Sequence, residues 1–332
     1  MGFQPFDRLP IVEWAAWWDK TVDRWHAEGL PASVTDRYDI CRHFGVELYL
    51  QEWFWPLGPE CPRPASHGAG IIADEADYDR LRPHLLPLEV MWPERVSRLE
   101  EWAAMQERGE AVVWITLDGF FWWPRMLFGI ERHLYAFYDQ PELMRRMNAD
   151  MVAWQLSVIE QVSAILRPDF VTFAEDMSYN HGPMLSQALF EEFMRPSYER
   201  VLARLHQLGS VCIVDSDGDV TEAASWFEAA GLDGILPLER QAGVDVAELR
   251  RRHPQMRFVG CFDKMTMSRG EAAMRAEFER LVPVAAGGGL IVSVDHQTPP
   301  GVSYDQYRLY LGLFREYAER AGQMSQGRLG TA

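Results

Sequence analysis

The chain has 332 residues, 48% of them hydrophobic, enough for a substantial core in one large α/β barrel or in two ordinary domains. Its 32 basic and 49 acidic residues give a formal charge of −17, which excludes a nucleic-acid surface and leaves no general attraction for polyanions. Charges and prolines interrupt every apolar run, residues 1–8 lack the pattern of a secretion signal, and the four cysteines (Cys41, Cys61, Cys212 and Cys261) show no CxxC spacing; the expectation is a cytoplasmic protein with reduced thiols and no membrane span.

Residues 10–28 read as an amphipathic helix ending at Gly29, and 35–44 as a second helix. Residues 47–53 alternate as a strand does, 56–70 form a loop dense in Pro and Gly, and helices are expected near 75–82 and 93–108. From Ala111 onward the rhythm is regular. Strands are expected at 112–117, 170–174, 211–214, 234–236, 257–261 and 290–294. Helices fall at 125–138, 141–166, 186–208 with Ser186 as N-cap, 221–230, 244–252, 268–285 with a serine at its start, and 303–321. The polar stretch 323–332 is expected to fray. Strands alternating with helices mean βαβ units and a parallel sheet. At least six such units with acids at the strand ends favour a closed (β/α)8 TIM barrel over an open sheet, as one domain whose first 45 residues are a helical decoration. No glycine-rich phosphate loop follows the first strand, and the three glycines at 287–289 precede a strand and read as a turn.

The strand ends carry the chemistry. Asp295 and His296 close the apolar run 290–294 just before a loop broken by Pro299 and Pro300. Asp215 and Asp217 end another strand, Glu175 and Asp176 a third, and Glu239 and Asp263 two more. On an extended strand end, alternate residues point the same way, so Asp215 and Asp217 could share a cation or a proton; equally, Asp217 could cap the next helix. His296 is the histidine at a predicted strand tip, suited to metal binding or acid–base work, with a core histidine bonded to Asp295 as the other reading. Glu175 and Asp176 either meet a ligand or belong to a surface loop. Glu239 could bind a hydroxyl or a metal, or pair with Arg240. Asp263 and Lys264 could form a surface ion pair. Arg125, after the aromatic loop that holds Trp122 and Trp123, is either a clamp for a substrate carboxylate or a helix-end arginine. The thirteen tryptophans, Trp14, Trp17, Trp18 and Trp25 among them, read mostly as packing.

Several segments resemble the uroporphyrinogen decarboxylase superfamily: Phe173-Ala-Glu-Asp176 with Pro183-Met-Leu-Ser186, residues 192–196, Val214-Asp-Ser-Asp-Gly218, Gly231-Leu-Asp-Gly-Ile235 and Asp295-His-Gln-Thr-Pro-Pro300. The likeness spans nearly the whole chain, and residues 8–10 and 25–31 resemble a less characterised branch of it. The resemblance implies a (β/α)8 barrel and leaves two chemistries open. Decarboxylases of the family remove acetate side chains from a tetrapyrrole without a cofactor. Here their arginine-rich N-terminal segment is not found, Arg125 stands for a tyrosine, Asp176 for a serine and Glu52 for an aspartate, while Asp217 and His296 are retained. A cationic pocket for that reaction would have to come from Arg125, Arg8, Lys20 or Arg24. The cobamide-dependent methyltransferases instead hold zinc by a His-x-Cys pair and a later Cys. Asp215 and Asp217 occupy the pair here, and the later Cys falls at or beside His296.

The resemblance therefore implies, first, metal-assisted methyl transfer or demethylation of a small methylated substrate. Asp215, Asp217 and His296 would hold a divalent metal, Zn or alternatively Mn or Fe. Asp217, His296, Glu175, Asp176 and Glu239 would be catalytic, and Arg125, Trp122, Trp123, Glu52 and Asp263 would bind substrate. A corrinoid on a separate corrinoid protein, or a pterin, would carry the methyl group. The alternatives are a cofactor-independent decarboxylase of a tetrapyrrole or small carboxylic acid, and a non-catalytic ligand-binding barrel. The aromatic N-terminal helix offers a face for a homodimer.

Overall fold

The computed structural model describes residues 1–327. It divides into two compact units: a central unit, Tyr49–Ser216 with Glu222–Gly234, and a terminal unit, Met1–Leu48 with Asp217–Thr221 and the chain from Ile235 onward.

The central unit is built on four parallel strands, β1 (Tyr49–Trp53), β2 (Val112–Asp118), β3 (Phe170–Ala174) and β4 (Val211–Asp215), which lie in chain order. The register sets Asp118 opposite Ala174 and Ala174 opposite Asp215, so these strands end level and Glu175 leaves one residue beyond that line. Long helices cross back between them, among them Pro93–Glu107, Pro141–Ser163 and Arg195–Leu208. Their apolar stripes and the strand faces bury Leu117, Val158, Val171 and Leu205. Each such side chain contributes about 1.5–3 kcal/mol on burial.

In the terminal unit β5 (Gly234–Leu236), whose first residue is the last of the central unit, is followed by β6 (Arg257–Phe262) and β7 (Leu290–Val294). The last two pair in parallel with Phe262 opposite Val294. Helices Glu271–Ala285 and Tyr304–Gly327 follow β6 and β7, with Phe278 stacked on Tyr317 between them. The α/β class with parallel strands and helical returns is as expected. Seven parallel strands are formed among the described residues; the eighth that a closed barrel requires is not among them.

Several expected elements differ. Residues 10–28 are helical only over Asp19–Glu28. Before that the chain is extended, and burial alternates strictly: Leu9, Ile11, Glu13, Ala15 and Trp17 are buried, their neighbours less so. Its backbone groups go to tertiary partners, Leu9 N–H to Ala318 O and Ile11 O to Glu47 N–H, instead of an i to i−4 ladder. The helix expected at 125–138 is two, Trp122–Phe128 and Ile130–Asp139, broken where Gly129 takes a φ of +80°. The helix expected from Ser268 begins at Glu271 after Gly270 (φ +91°), and residues 264–269 form a 3₁₀ turn. Ser186 does cap its helix, its hydroxyl accepting the N–H of Leu189. Residues 323–327 continue the last helix instead of fraying, because Ser325 is buried on its inner side, while 328–332 lie outside the described residues. No described helix is long and apolar enough to cross a membrane. All four cysteines are free thiols.

Candidate active site at the strand ends

In the terminal unit the strand ends gather one reactive pair over a buried brace. His296 Nε2 and Asp217 Oδ2 stand 3.7 Å apart, with side chains 32% and 39% exposed, so both reach solvent. Behind them lies Asp295, which is wholly buried. Its Oδ2 accepts the backbone N–H of Arg240 at 3.0 Å, and its Oδ1 accepts the backbone N–H of Lys264 at 3.3 Å and the Lys264 ammonium at 3.1 Å. Burial raises the Asp295 carboxyl above its ordinary value, against the pull of Lys264. One carboxylate thus ties the turns after β5 and β6 to the tip of β7. Lys264 turns to Asp295, not to Asp263, and Asp263 instead caps its own 3₁₀ turn by accepting Met265 N–H at 2.9 Å. Glu239 is joined to the Asp217 loop, because its Oε2 accepts the N–H of Gly218 at 3.0 Å.

The central unit's strand ends are built differently. Glu175 is fully buried, and its carboxylate accepts the N–H groups of Phe120, Phe121 and Trp122 at 2.7, 2.6 and 3.0 Å together with the Tyr198 hydroxyl. Those three N–H groups open the helix Trp122–Phe128, so Glu175 satisfies a helix start that has no other cap. Gly119 makes room for it, since a Cβ there would overlap the carboxylate. Burial lifts the Glu175 pKa to about 7 even against four donors. Asp118, level with it at the end of β2, is also fully buried. Its Oδ1 accepts the Trp53 indole N–H at 3.1 Å and its Oδ2 has no hydrogen-bond partner. Burial first, and then the nearby Glu175 charge, push it to about 7. Asp215 closes β4, its carbonyl accepting Glu175 N–H.

The proposed substrate contacts are largely held by the chain itself. Both Glu52 oxygens are engaged, one by Arg95 at 2.7 Å and the other by Arg98 at 2.7 Å. Arg125 donates to the Asp176 carbonyl at 2.9 Å and lies over the Trp122 ring. Trp123 is fully buried, whereas Trp122 is only partly so. Sequence reasoning missed Asp118, Lys264 and Trp14 as parts of these tips. The signal for Asp118 is its place directly after the apolar run 112–117, as the last residue of β2.

A separate group lies in the central unit: His206, Cys212 and Asp233 offer ligand atoms within 4.8 Å of one another and could hold a metal. Asp233 Oδ2 already meets His206 Nε2 at 2.9 Å and accepts Cys212 N–H at 2.8 Å. Burial holds the Cys212 thiol far above its ordinary pKa, so without an ion this group is a hydrogen-bonded tie near the start of β4.

Residues 128–317, more than half of the chain, match the model of the uroporphyrinogen decarboxylase (URO-D) family, and the chain belongs to that family. Among solved structures, a methyltransferase from Methanosarcina mazei is similar with a TM-score of 0.63 at 14% identity, covering 94% of this chain and 95% of that one. At such identity the likeness shows the fold. A Listeria monocytogenes protein assigned as a vitamin-B12 independent methionine synthase gives 0.46 at 13% identity, over 97% of this chain and 98% of that one. The second likeness is too distant to bear on function. No curated protein sequence matches the chain.

Proposed function

We propose that this chain is a URO-D-family enzyme of metal-assisted methyl transfer or demethylation, acting on a small, oxygen-bearing methylated compound, with Asp217 and His296 as the ligating pair. The observation that carries the reading is that pair: a carboxylate and an imidazole face each other 3.7 Å apart, open to solvent at the strand ends. A carboxylate oxygen and an imidazole nitrogen suit Zn²⁺, Mn²⁺ or Fe²⁺. The thiolate set of the family's zinc enzymes is not supported at this site, because Asp215 and Asp217 stand where its His-x-Cys pair would be. When bound, a divalent ion supplies Lewis-acid polarisation of a substrate oxygen. The protein's own part is to hold the pair: Glu239 steadies the Asp217 loop through Gly218, and Asp295 with Lys264 braces the tip that bears His296. A corrinoid on a partner protein or a pterin is the methyl carrier in this reading.

Decarboxylation of a polycarboxylate is less well supported, because the arginines it would need are already engaged within the chain. Arg8 pairs with Glu47 and Arg24 with Glu28, while Arg125 donates to the Asp176 carbonyl on the loop after β3. Metal analysis of the purified full chain tests the proposal. The variant His206→Asn removes any ion held at the Cys212 group. In that background a stoichiometric divalent metal is expected, lost on Asp217→Ala/His296→Ala, together with loss of methyl transfer to added corrinoid. No metal at all in His206→Asn after supplementation would overturn it.

A further inference from the structure

We infer that the extended N-terminal segment positions His296 through Glu13 and Trp14, an inference that rests on reading Asp217 and His296 as the ligating pair. Glu13 Oε2 accepts the Ser293 hydroxyl at 2.9 Å and the Val294 N–H at 3.3 Å. Trp14 N–H donates to Ser293 Oγ at 3.2 Å, and its indole N–H donates to the Val294 carbonyl at 2.6 Å. Both polar groups of the Val294 backbone are thereby held by two consecutive residues lying some 280 positions earlier in the chain. Only Asp295 separates Val294 from His296, and its N–H is fixed to Phe262 O at 2.9 Å. The Trp14 ring then meets His296 edge-on, with centroids 6.1 Å apart and planes at 82°. Backbone and ring of the histidine are therefore both referred to the same two residues.

The choice of residue at 13 supports the role. In the alternation of Leu9, Ile11, Glu13, Ala15 and Trp17 every other inward side chain is apolar. A buried carboxyl is costly unless it is hydrogen-bonded; the two donors at the tip of β7 bind its Oε2, and the hydroxyls of Tyr307 and Tyr310 also act on this carboxyl. A leucine would satisfy packing and lose the tether.

The histidine ring signals of the full chain, labelled with ¹⁵N-histidine, read this directly once His296 is assigned by its absence in His296→Gln. Glu13→Leu is expected to shift and broaden the His296 signal, and Ser293→Ala to do so more weakly. Glu13→Gln keeps an acceptor oxygen and is expected to leave the signal near its wild-type position. The signal of His133, buried in the central unit, should stay in place throughout. A His296 signal unmoved by Glu13→Leu overturns the inference, as does equal movement of His133, which would mark general loss of fold. If Glu13→Leu does not fold, Ser293→Ala decides in the same terms. No metal is added, so a protein that fails to bind metal yet shows the His296 shift defeats the proposed function and keeps the positioning role. Metal binding with an immobile His296 signal does the reverse.

Discussion

Lys264 donates to a carboxylate that has no contact with solvent, and its own side chain is only 13% exposed. Removing the ammonium would leave Asp295 with two backbone donors and an uncompensated buried charge. Lys264→Met is expected to destabilise the protein by about 3–5 kcal/mol, the range for breaking one half of a buried pair. Urea unfolding near neutral pH measures it; a loss below about 1 kcal/mol would mean that the two backbone N–H groups suffice. Asp295 itself was legible in the sequence as the acid closing an apolar, β-branched run. Its partner was not. Lys264 adjoins Asp263 in sequence, and the nearest acid is the natural partner to choose. Only the parallel register of β6 and β7 brings Lys264 and Asp295 together.

At the level of elements, the helix Trp122–Phe128 depends on an acid from another strand. Glu175→Gln would turn an amide NH₂ toward N–H groups that need acceptors. The expected cost is about 1–3 kcal/mol, that of leaving a buried donor unsatisfied. It should appear in urea unfolding and as faster amide exchange at Phe121 and Trp122; unchanged exchange there would contradict the capping role. The strands were readable from β-branched apolar runs, since burial on both faces demands them. The segment 9–18 was not. Its tryptophans and alanines satisfy a helical period and a two-residue period alike, and the chain took the second because Ser293, Val294 and Ala318 offer backbone and hydroxyl partners. Likewise the 125–138 periodicity runs through Gly129 without a break, yet Gly70 and Gly68 press so closely there that no Cβ fits.

At the scale of the molecule, three acids among the described residues bury their carboxyls and have pKa values raised to about 7: Glu13, Asp118 and Glu175. In the unfolded chain such groups titrate near ~4. Between about pH 4 and 7 the native state binds more protons than the unfolded one, so this contribution is full below about 4 and lost as pH rises through 7. His133, held neutral by burial with a pKa of about 3, works in the opposite direction below about pH 6.5. The informative quantity is therefore a difference. Asp118→Asn keeps an acceptor for Trp53 and cannot ionise, so its stability relative to wild type is expected to improve from about pH 5 to 8. A difference that stays flat over that range would show that Asp118 ionises as easily folded as unfolded.

What the sequence determined by itself was the alternation of strand and helix, the acids and the histidine at the strand ends, and the family; these depend on local period and on motifs carried intact. The tertiary structure decided which of those residues face solvent and which are spent. Glu52, Glu175 and Asp295 look alike in sequence to Asp217, but they are buried, with Arg95 and Arg98, a helix start, and Lys264 taking up their charges, whereas Asp217 is part-exposed beside His296. Those partners come from distant parts of the chain. The pairing of a carboxylate depends on which donors the fold brings within about 3 Å of it, and no local pattern encodes that.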